Sequence, residues 1–330
     1  GTPSAEMLED AEAKVVSIIR AAQRSDRSLT MRDACLQWVQ SLRHGRTRVF
    51  GSGISDLDFA IGGAGVGEMI VIAARPSHGK SAFALDWLHN AATAGVPCAI
   101  ISEEMAAIEL GKRAMLRFAS IDQDLLNADT ADFLEEEVKR HYGTKAPIFI
   151  AEHCNTIAKA ETSIRRYAEN GAKIVAIDYL QLLSASGRQR HEQVAEVSRR
   201  IKLAAQRYDI AILALSQLNR GIEDRTIFQP KLRDIRESGA IEQDADAVLF
   251  LIWPWAAWFD SDDDKEKKKS PEPDKREYRI LIGKNCRNRR TNKRKIVINF
   301  DCERMTFSGN DPYPRQTDEV DRFFAPQKAV

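Results

Sequence analysis

The chain has 330 residues, enough for one large domain of ~200–250 residues with an appendage. Its 49 basic and 48 acidic side chains leave a net charge of +1, which excludes a whole-molecule field for a polyanion, so any nucleic-acid contact has to come from local clusters. No apolar run approaches a membrane span, the opening residues do not read as a secretory leader, and five scattered cysteines (Cys35, Cys98, Cys154, Cys286 and Cys302) form no Cys-x-x-Cys pair. That pattern disfavours a membrane partner, a disulfide framework and a zinc site, and fits a reducing, cytoplasmic compartment.

Taken in chain order, Leu8, Ala11, Val15, Ile18 and Ala22 recur at helical spacing in a charged segment. Thr30-Met31-Arg32-Asp33 reads as a capping box before a second helix carrying Ala34, Trp38 and Leu42. These helices suit either a flap on the chain's own core or an arm that docks on a neighbouring subunit. From Phe50 onward, Gly51, Gly53, Gly62, Gly63, Gly65 and Gly67 break the chain into turns.

Met69 to Ala73 then reads as a buried strand, and Ala82 to Ala94 as a helix with Phe83, Trp87, Leu88 and Ala91 at apolar spacing. Between them lies Ala74-Arg75-Pro76-Ser77-His78-Gly79-Lys80-Ser81. A loop from a strand into a helix aims backbone N–H groups and a helix N-terminus at one point, which is an anion site. Ser77, His78, Gly79, Lys80, Ser81 and Ala82 are therefore expected to cradle the phosphates of ATP. Lys80 would reach the β- and γ-phosphates, and the Ser81 hydroxyl would bind Mg²⁺, the division of labour in a P-loop. Ala74 stands where the usual pattern has its first glycine.

Strand-like runs recur at Cys98–Ser102, Ile148–Ile150, Ile174–Ile177, Ala211–Leu215 and Ala247–Ile252, mostly separated by helical patterns at Glu109–Ala119, Ala158–Glu169 and Gln193–Arg207. Apolar strands alternating with amphipathic helices indicate an α/β fold with a mostly parallel sheet flanked by helices, binding ligands at the carboxyl ends of its strands. Three strand ends carry chemistry for phosphoryl transfer. Ser102 is followed by Glu103 and Glu104, either of which would polarise a water if their strand neighbours the phosphate loop. Asp178 closes an apolar strand and suits a Mg²⁺-holding carboxylate. Gln217 offers an amide to sense a γ-phosphate.

Asp260 to Pro273, rich in acids, lysines and prolines, reads as a solvated loop. Two short strands, Tyr278–Ile282 and Lys295–Phe300, flank a basic tip holding Lys284, Arg287, Arg289, Arg290, Lys293, Arg294 and Lys295 and no acid. That tip suits phosphate contacts to nucleic acid, or an arginine finger for a neighbouring subunit's ATP. From Asp311 the chain reads as a tail.

Five segments in order resemble the motifs of the C-terminal motor domain of DnaB-type replicative helicases. They are Gly53-Ile54-Ser55-Asp56-Leu57-Asp58, the Ala73-to-Ser81 loop, Ile177-Asp178-Tyr179-Leu180-Gln181-Leu182, Leu215-Ser216-Gln217-Leu218-Asn219-Arg220, and Arg236-Glu237-Ser238-Gly239-Ala240-Ile241-Glu242-Gln243-Asp244-Ala245-Asp246. The resemblance implies a RecA-like P-loop NTPase core, a homo-hexameric ring around single-stranded DNA, and ATP sites at subunit boundaries. It further implies that Glu104 is the catalytic carboxylate, Lys80 and Ser81 the phosphate and magnesium ligands, Asp178 the Walker B carboxylate and Gln217 the sensor. Arg236, Glu237, Ser238 and Gly239 match the loop that tracks DNA, and Ser184 to Glu192 a second channel loop. Leu8 to Glu12 resembles the start of the family's inter-subunit linker helix, which favours the docking reading.

The expected division is a helical linker at 1–48, a RecA-like ATPase domain at 49–310 and a C-terminal tail at 311–330. Two departures stand out. The family's finger hairpin reads Lys-x-Arg-Asn-Gly, whereas Lys284-Asn285-Cys286-Arg287-Asn288-Arg289 is one residue longer and lacks the glycine. In an extended strand that insertion would turn the arginine to the other face unless a bulge absorbed it, so Arg287, with Lys284, is the first choice for the finger and Arg289 the rival. The family's primase-contacting N-terminal domain has no counterpart here, so primase and loader contacts are expected through a segment outside this sequence. The function implied is an ATP-dependent helicase motor. The competing readings are a filament-forming recombinase-type ATPase and a nucleotide-gated scaffold without turnover.

Overall fold

The computed structural model describes residues 30–43, 49–118, 127–143, 145–185, 187, 189–222, 229–235, 239–259 and 271–309. The segment with Leu8 to Ala22, the loop residues Arg236 to Ser238, the stretch 260–270 and the tail from 310 lie outside them. The chain divides into two compact units, Gly1–Arg46 and Thr47–Val330. In the first, helix α1 (Met31–Arg43) begins as its sequence predicts: Asp33 N–H donates to Thr30 Oγ1 at 3.1 Å and the Thr30 hydroxyl donates back to Asp33 Oδ2 at 2.7 Å.

The second unit opens with a two-residue pair, β1 (Val49–Phe50) with β2 (Ala64–Gly65), around helix α2 (Ser55–Ile61). The body is a nine-stranded sheet in the order β11-β10-β9-β8-β3-β7-β6-β4-β5. Its parallel strands are β3 (Met69–Ala74), β4 (Cys98–Ser102), β5 (Ile148–Glu152), β6 (Ile174–Asp178), β7 (Ala211–Gln217) and β8 (Ala247–Ile252). An antiparallel extension, β9 (Glu277–Asn285), β10 (Lys295–Asp301) and β11 (Thr306–Gly309), completes one side. Strand β11 and the helices Ala131–Tyr142 and Pro254–Phe259 add to the elements read from sequence.

Every residue of β3 is buried, as befits a central strand covered on both faces. Its alternate side chains divide between two cores. Ile70, Ile72 and Ala74 join Phe83, Trp87 and Leu88 of helix α3 (Lys80–Thr93). Met69, Val71 and Ala73 join Ile157, Ala160 and Ile164 of helix Ile157–Glu169, and Val194, Val197 and Ile201 of helix Arg190–Arg207. The expected second channel loop is thus shorter than its reading, because Glu192 lies inside a helix that starts at Arg190.

The condition placed on Glu103 and Glu104 is not met as stated: β7 and β6 separate β4 from β3. Proximity arises instead from register. Ala74 pairs with Gln217, and Ser102 pairs with Asp178, so the four strands end in two level pairs at one edge, β3 and β7 reaching two residues beyond β6 and β4.

Two buried titratable groups pull stability in opposite directions with pH. His89 Nδ1 lies 2.8 Å from Leu85 O, which can only accept, so Nδ1 carries the proton and Nε2 accepts from the Tyr142 hydroxyl at 2.8 Å. Burial, which disfavours the imidazolium, lowers the His89 pKa from 6.5 to about 4. Between those values the unfolded chain binds a proton that the folded chain does not, so stability falls as pH drops through this window. Burial raises the Asp58 pKa from 3.8 to about 6, against the opposing N–H donors of Ser52 and Gly53. Its contribution therefore grows as pH falls through about 6. Comparing parent with His89→Gln cancels the Asp58 share. Denaturant unfolding from pH 7 to pH 4 is expected to show a steeper loss in the parent, by up to on the order of 3 kcal/mol.

Candidate nucleotide site and basic hairpin

The loop between β3 and α3 is held from behind by the antiparallel strands. Gly79 takes a left-handed conformation, φ 75°, and a Cβ there would meet Phe307 Cζ and Tyr278 Oη, each at 3.5 Å. The angle favours glycine, whereas the contacts themselves are ordinary van der Waals distances. The buried Tyr278 hydroxyl donates to His78 O, and Trp253 N–H donates to His78 Nδ1 at 3.3 Å. Burial first, then the nearby Arg75 charge, lower the His78 pKa from 6.5 to about 4, so it serves as a neutral acceptor. Phe83 N–H bonds Gly79 O at 2.9 Å. The amides of Lys80, Ser81 and Ala82 precede it in the first helical turn, where no intrahelical acceptor exists, and Lys80 and Ser81 line the cavity in front of the loop.

That cavity, about 390 Å³, is lined by the loop from Ala74 to Ser81, apart from His78, together with Glu104, Met105, Arg113, Tyr179 and Gln217. The Lys80 ammonium is 3.4 Å from Asp178 Oδ1, 3.9 Å from Glu104 Oε2 and 4.2 Å from the Tyr179 ring centre. Asp178 is fully buried, and neither carboxylate oxygen has a hydrogen-bond partner among the described residues. A buried carboxylate short of donors, 3.4 Å from the Lys80 ammonium of the phosphate loop, fits a site that completes its contacts with a hydrated divalent cation; Ser81, in the cavity wall, and Asp178, behind it, are the residues that would hold Mg²⁺.

Local hydrogen bonds send the two glutamates in different directions. Glu103 N–H donates to Asp178 O at 2.8 Å, and Ser102 Oγ bonds both Met105 N, at 3.1 Å, and Met105 O, at 2.6 Å, fixing the turn. Glu103 Oε1 then accepts from Cys154 N at 2.5 Å, away from the cavity, while Glu104 lines it with a half-exposed carboxylate. Gln217 is set by Gln181, whose Oε1 accepts from Gln217 N at 3.4 Å and whose Nε2 donates to Ser216 Oγ at 2.7 Å. One residue on, Leu218 pairs with Ile235, immediately before the loop that begins at Arg236, and Arg75 donates to Leu218 O at 2.9 Å. Gly239 is exposed at the start of the helix Gly239–Asp244, whereas Arg236, Glu237 and Ser238 fall outside the described residues.

The basic hairpin lies at the opposite edge of the sheet. Lys284 pairs with Val248 near the start of β8, whereas Ile252 at its end pairs with Arg279. Since β8 runs parallel to β3, the tip faces the amino ends of the strands, roughly 20 Å (a six-residue strand at ~3.3 Å each) from its own phosphate loop. A register shift at Gly283, where a Cβ would overlap the Phe250 ring, lies just before Lys284. Lys284 Nζ donates to Glu242 O at 2.7 Å and Gln243 O at 3.4 Å. The extra residue causes no face flip, because the chain leaves the strand at Asn285, whose Oδ1 accepts from Arg287 N and Asn288 N at 3.0 and 3.2 Å. Arg287 folds back onto Glu68, and Arg289 is exposed.

Sequence reasoning missed Arg113, Met105 and Tyr179 in the cavity wall and the Tyr278 support behind it. Arg113 sits on the helix Ala107–Phe118 among other charges, and helical spacing alone does not say which of them turns toward the cavity. Tyr278 is distant in sequence and meets the loop only through the sheet.

This geometry is that of a P-loop fold of RecA-like architecture. A family model for the DnaB-like helicase C terminal domain matches residues 50–309, and the chain belongs to that family. It is 34% identical over 264 residues to the replicative DNA helicase DnaC of Bacillus subtilis, covering 74% of this chain and 57% of that protein. It is also 34% identical over 274 residues to the replicative DNA helicase DnaB of Leifsonia xyli, covering 76% and 60% respectively. The chain therefore spans about 60% of the length of such curated relatives. Among solved structures, one ATPase domain superposes with a TM-score of 0.72 at 28% identity, covering 86% of this chain and 100% of that one. A DnaB-like replicative helicase studied with primase gives 0.68 at 27%, covering 93% and 74%.

Removing the Tyr278 hydroxyl tests the support of the loop. Tyr278→Phe leaves His78 O without its buried donor and is expected to cost about 1–3 kcal/mol of stability by denaturant unfolding, together with weaker binding of a fluorescent ATP analogue.

Proposed function

We propose that this chain is the motor of an ATP-dependent replicative helicase, a hexameric ring that translocates on single-stranded DNA and hydrolyses ATP at each subunit boundary. The observation that carries the reading is the split of charge between two edges of one sheet. Lys80, Asp178 and Glu104 gather at the carboxyl edge, and the basic hairpin projects from the other. A hairpin that far from its own phosphate loop serves a nucleotide only on a neighbouring copy.

In this reading the loop amides and Lys80 would hold the β- and γ-phosphates, and Ser81 and Asp178 would hold Mg²⁺. The metal, when bound, offsets phosphate charge. Glu104 orients a water whose oxygen attacks the γ-phosphorus. The bond from that phosphorus to the ADP oxygen breaks, and the water's proton passes to the Glu104 carboxylate. Lys80 and Arg113 on one side, with Lys284 and a hairpin arginine from the neighbour, stabilise the spreading negative charge. Gln217 reports the γ-phosphate through the Leu218–Ile235 pairing to the loop Arg236-Glu237-Ser238-Gly239, which contacts the DNA backbone. The linker at 1–48 docks on the adjacent subunit. Primase and loader contacts belong to the part of its relatives' length that this chain does not span, and the setting is the cytoplasm.

The test is ATP turnover with and without single-stranded DNA, beside strand separation on a forked duplex. DNA-stimulated turnover with unwinding is expected, and DNA-indifferent turnover without unwinding by the full-length protein contradicts the reading. Within it, Glu104→Gln is expected to lower turnover by about 10²–10⁴-fold while ATP analogue binding persists. Glu103→Gln, whose carboxylate faces Cys154, is expected to stay near the parental rate.

A further inference from the structure

The two arginines at the hairpin tip have opposite surroundings. Arg287 Nε donates to Glu68 Oε1 at 2.5 Å and a terminal nitrogen donates to Glu68 Oε2, a bidentate pair. Its other terminal nitrogen donates to Gly62 O at 2.7 Å and Gly63 O at 3.3 Å. A guanidinium has five N–H donors, and this one spends nearly all of them within its own chain.

The receiving segment is shaped for it. A Cβ at Gly65 would overlap the Arg287 guanidinium, and one at Gly62 would come within 3.1 Å of it. Glu68 is itself oriented by the Gly65 N–H, 3.2 Å from Oε2. Beneath this pair, Asn285 is buried and donates to Ala60 O at 3.1 Å and Thr291 Oγ1 at 2.9 Å, fixing the tip against helix α2. Both arginines are exposed, but Arg289, which opens the short turn Arg289–Thr291, has no ion-pair partner among the described residues.

We propose that Arg287, cradled by Glu68 and the glycines at 62, 63 and 65, is a positioning residue that anchors the hairpin, and that Arg289 is the cation offered to the neighbouring subunit's triphosphate. This rests on the composite-site reading above. Using Arg287 as the finger would strip Glu68 and two carbonyls of their partner at each turnover. Using Arg289 breaks no ion pair among the described residues. The residue inserted between Lys284 and Arg287 accounts for the exchange: it lengthens the path to Arg287, lets that side chain fold back, and brings the next arginine to the tip.

The experiment combines thermal unfolding with DNA-stimulated ATP turnover for Arg287→Ala, Glu68→Ala, Gly65→Ala and Arg289→Ala. Arg287→Ala and Glu68→Ala are each expected to lower the unfolding temperature by several degrees, with the double variant no worse than either, and Gly65→Ala is expected to follow them. Arg289→Ala is expected to unfold at the parental temperature, bind ATP analogue as the parent does, and lose turnover by about 10³-fold. Parental turnover in Arg289→Ala, or a parental unfolding temperature in Arg287→Ala, overturns the assignment. A parent that lacks DNA-stimulated turnover would count against the motor reading, while the unfolding measurements still decide whether Arg287 is the anchor.

Discussion

A carboxylate shut away from water, with no hydrogen-bond donor among the described residues, lies at the centre of this structure. Removing an ion of that kind from solvent costs several kcal/mol unless another charge meets it. Here the Lys80 ammonium, 3.4 Å away, does so. Lys80 can be there only because the loop before it turns through a left-handed glycine, and the loop holds that turn because Tyr278 and Trp253 grip His78 from behind. The antiparallel strands are thus the back wall of the site, and the parallel strands supply its chemistry.

Register carries the rest. Strand ends that finish level bring Gln217 beside Ala74 and Ser102 beside Asp178, and a single turn after Ser102 sends one glutamate toward the cavity and the other toward Cys154. The same sheet, followed to its other edge, carries the basic hairpin. Strand direction separates the cavity from the hairpin within a subunit, and this is why the motor reading proposed above takes the hairpin from a second copy.

Much of this is legible in the residues themselves. The apolar run into Gly79-Lys80-Ser81, the carboxylate after Ile177 and the amide after Ser216 each state their chemistry at a strand end, and an alternating α/β pattern says that strand ends converge. What is not legible depends on strand order and side-chain direction. Strand pattern alone puts Glu103 and Glu104 in equivalent positions, the family resemblance selects Glu104, and the bond from Cys154 N turns Glu103 away from the cavity. Nor does it reveal that Arg113 turns inward from a charged helix, or that Tyr278, some 200 residues from His78, props the loop. At the hairpin the extra residue is expected to turn the arginine over unless a bulge absorbs it; the strand carries a register shift just before Lys284 and then leaves the sheet in a turn around Asn285, where a strand's alternation has no force.

The most direct measurement of the central claim mixes two inactive variants. Lys80→Ala lacks a working phosphate loop but keeps the hairpin, whereas a variant with Lys284, Arg287 and Arg289 all changed to alanine keeps the loop and lacks the hairpin's cations. If the site is built between subunits, the mixture regains DNA-stimulated ATP turnover that neither variant shows alone, at those boundaries where an intact loop meets an intact hairpin. A mixture as inactive as its components, or a hairpin variant that turns over ATP at the parental rate by itself, contradicts the account.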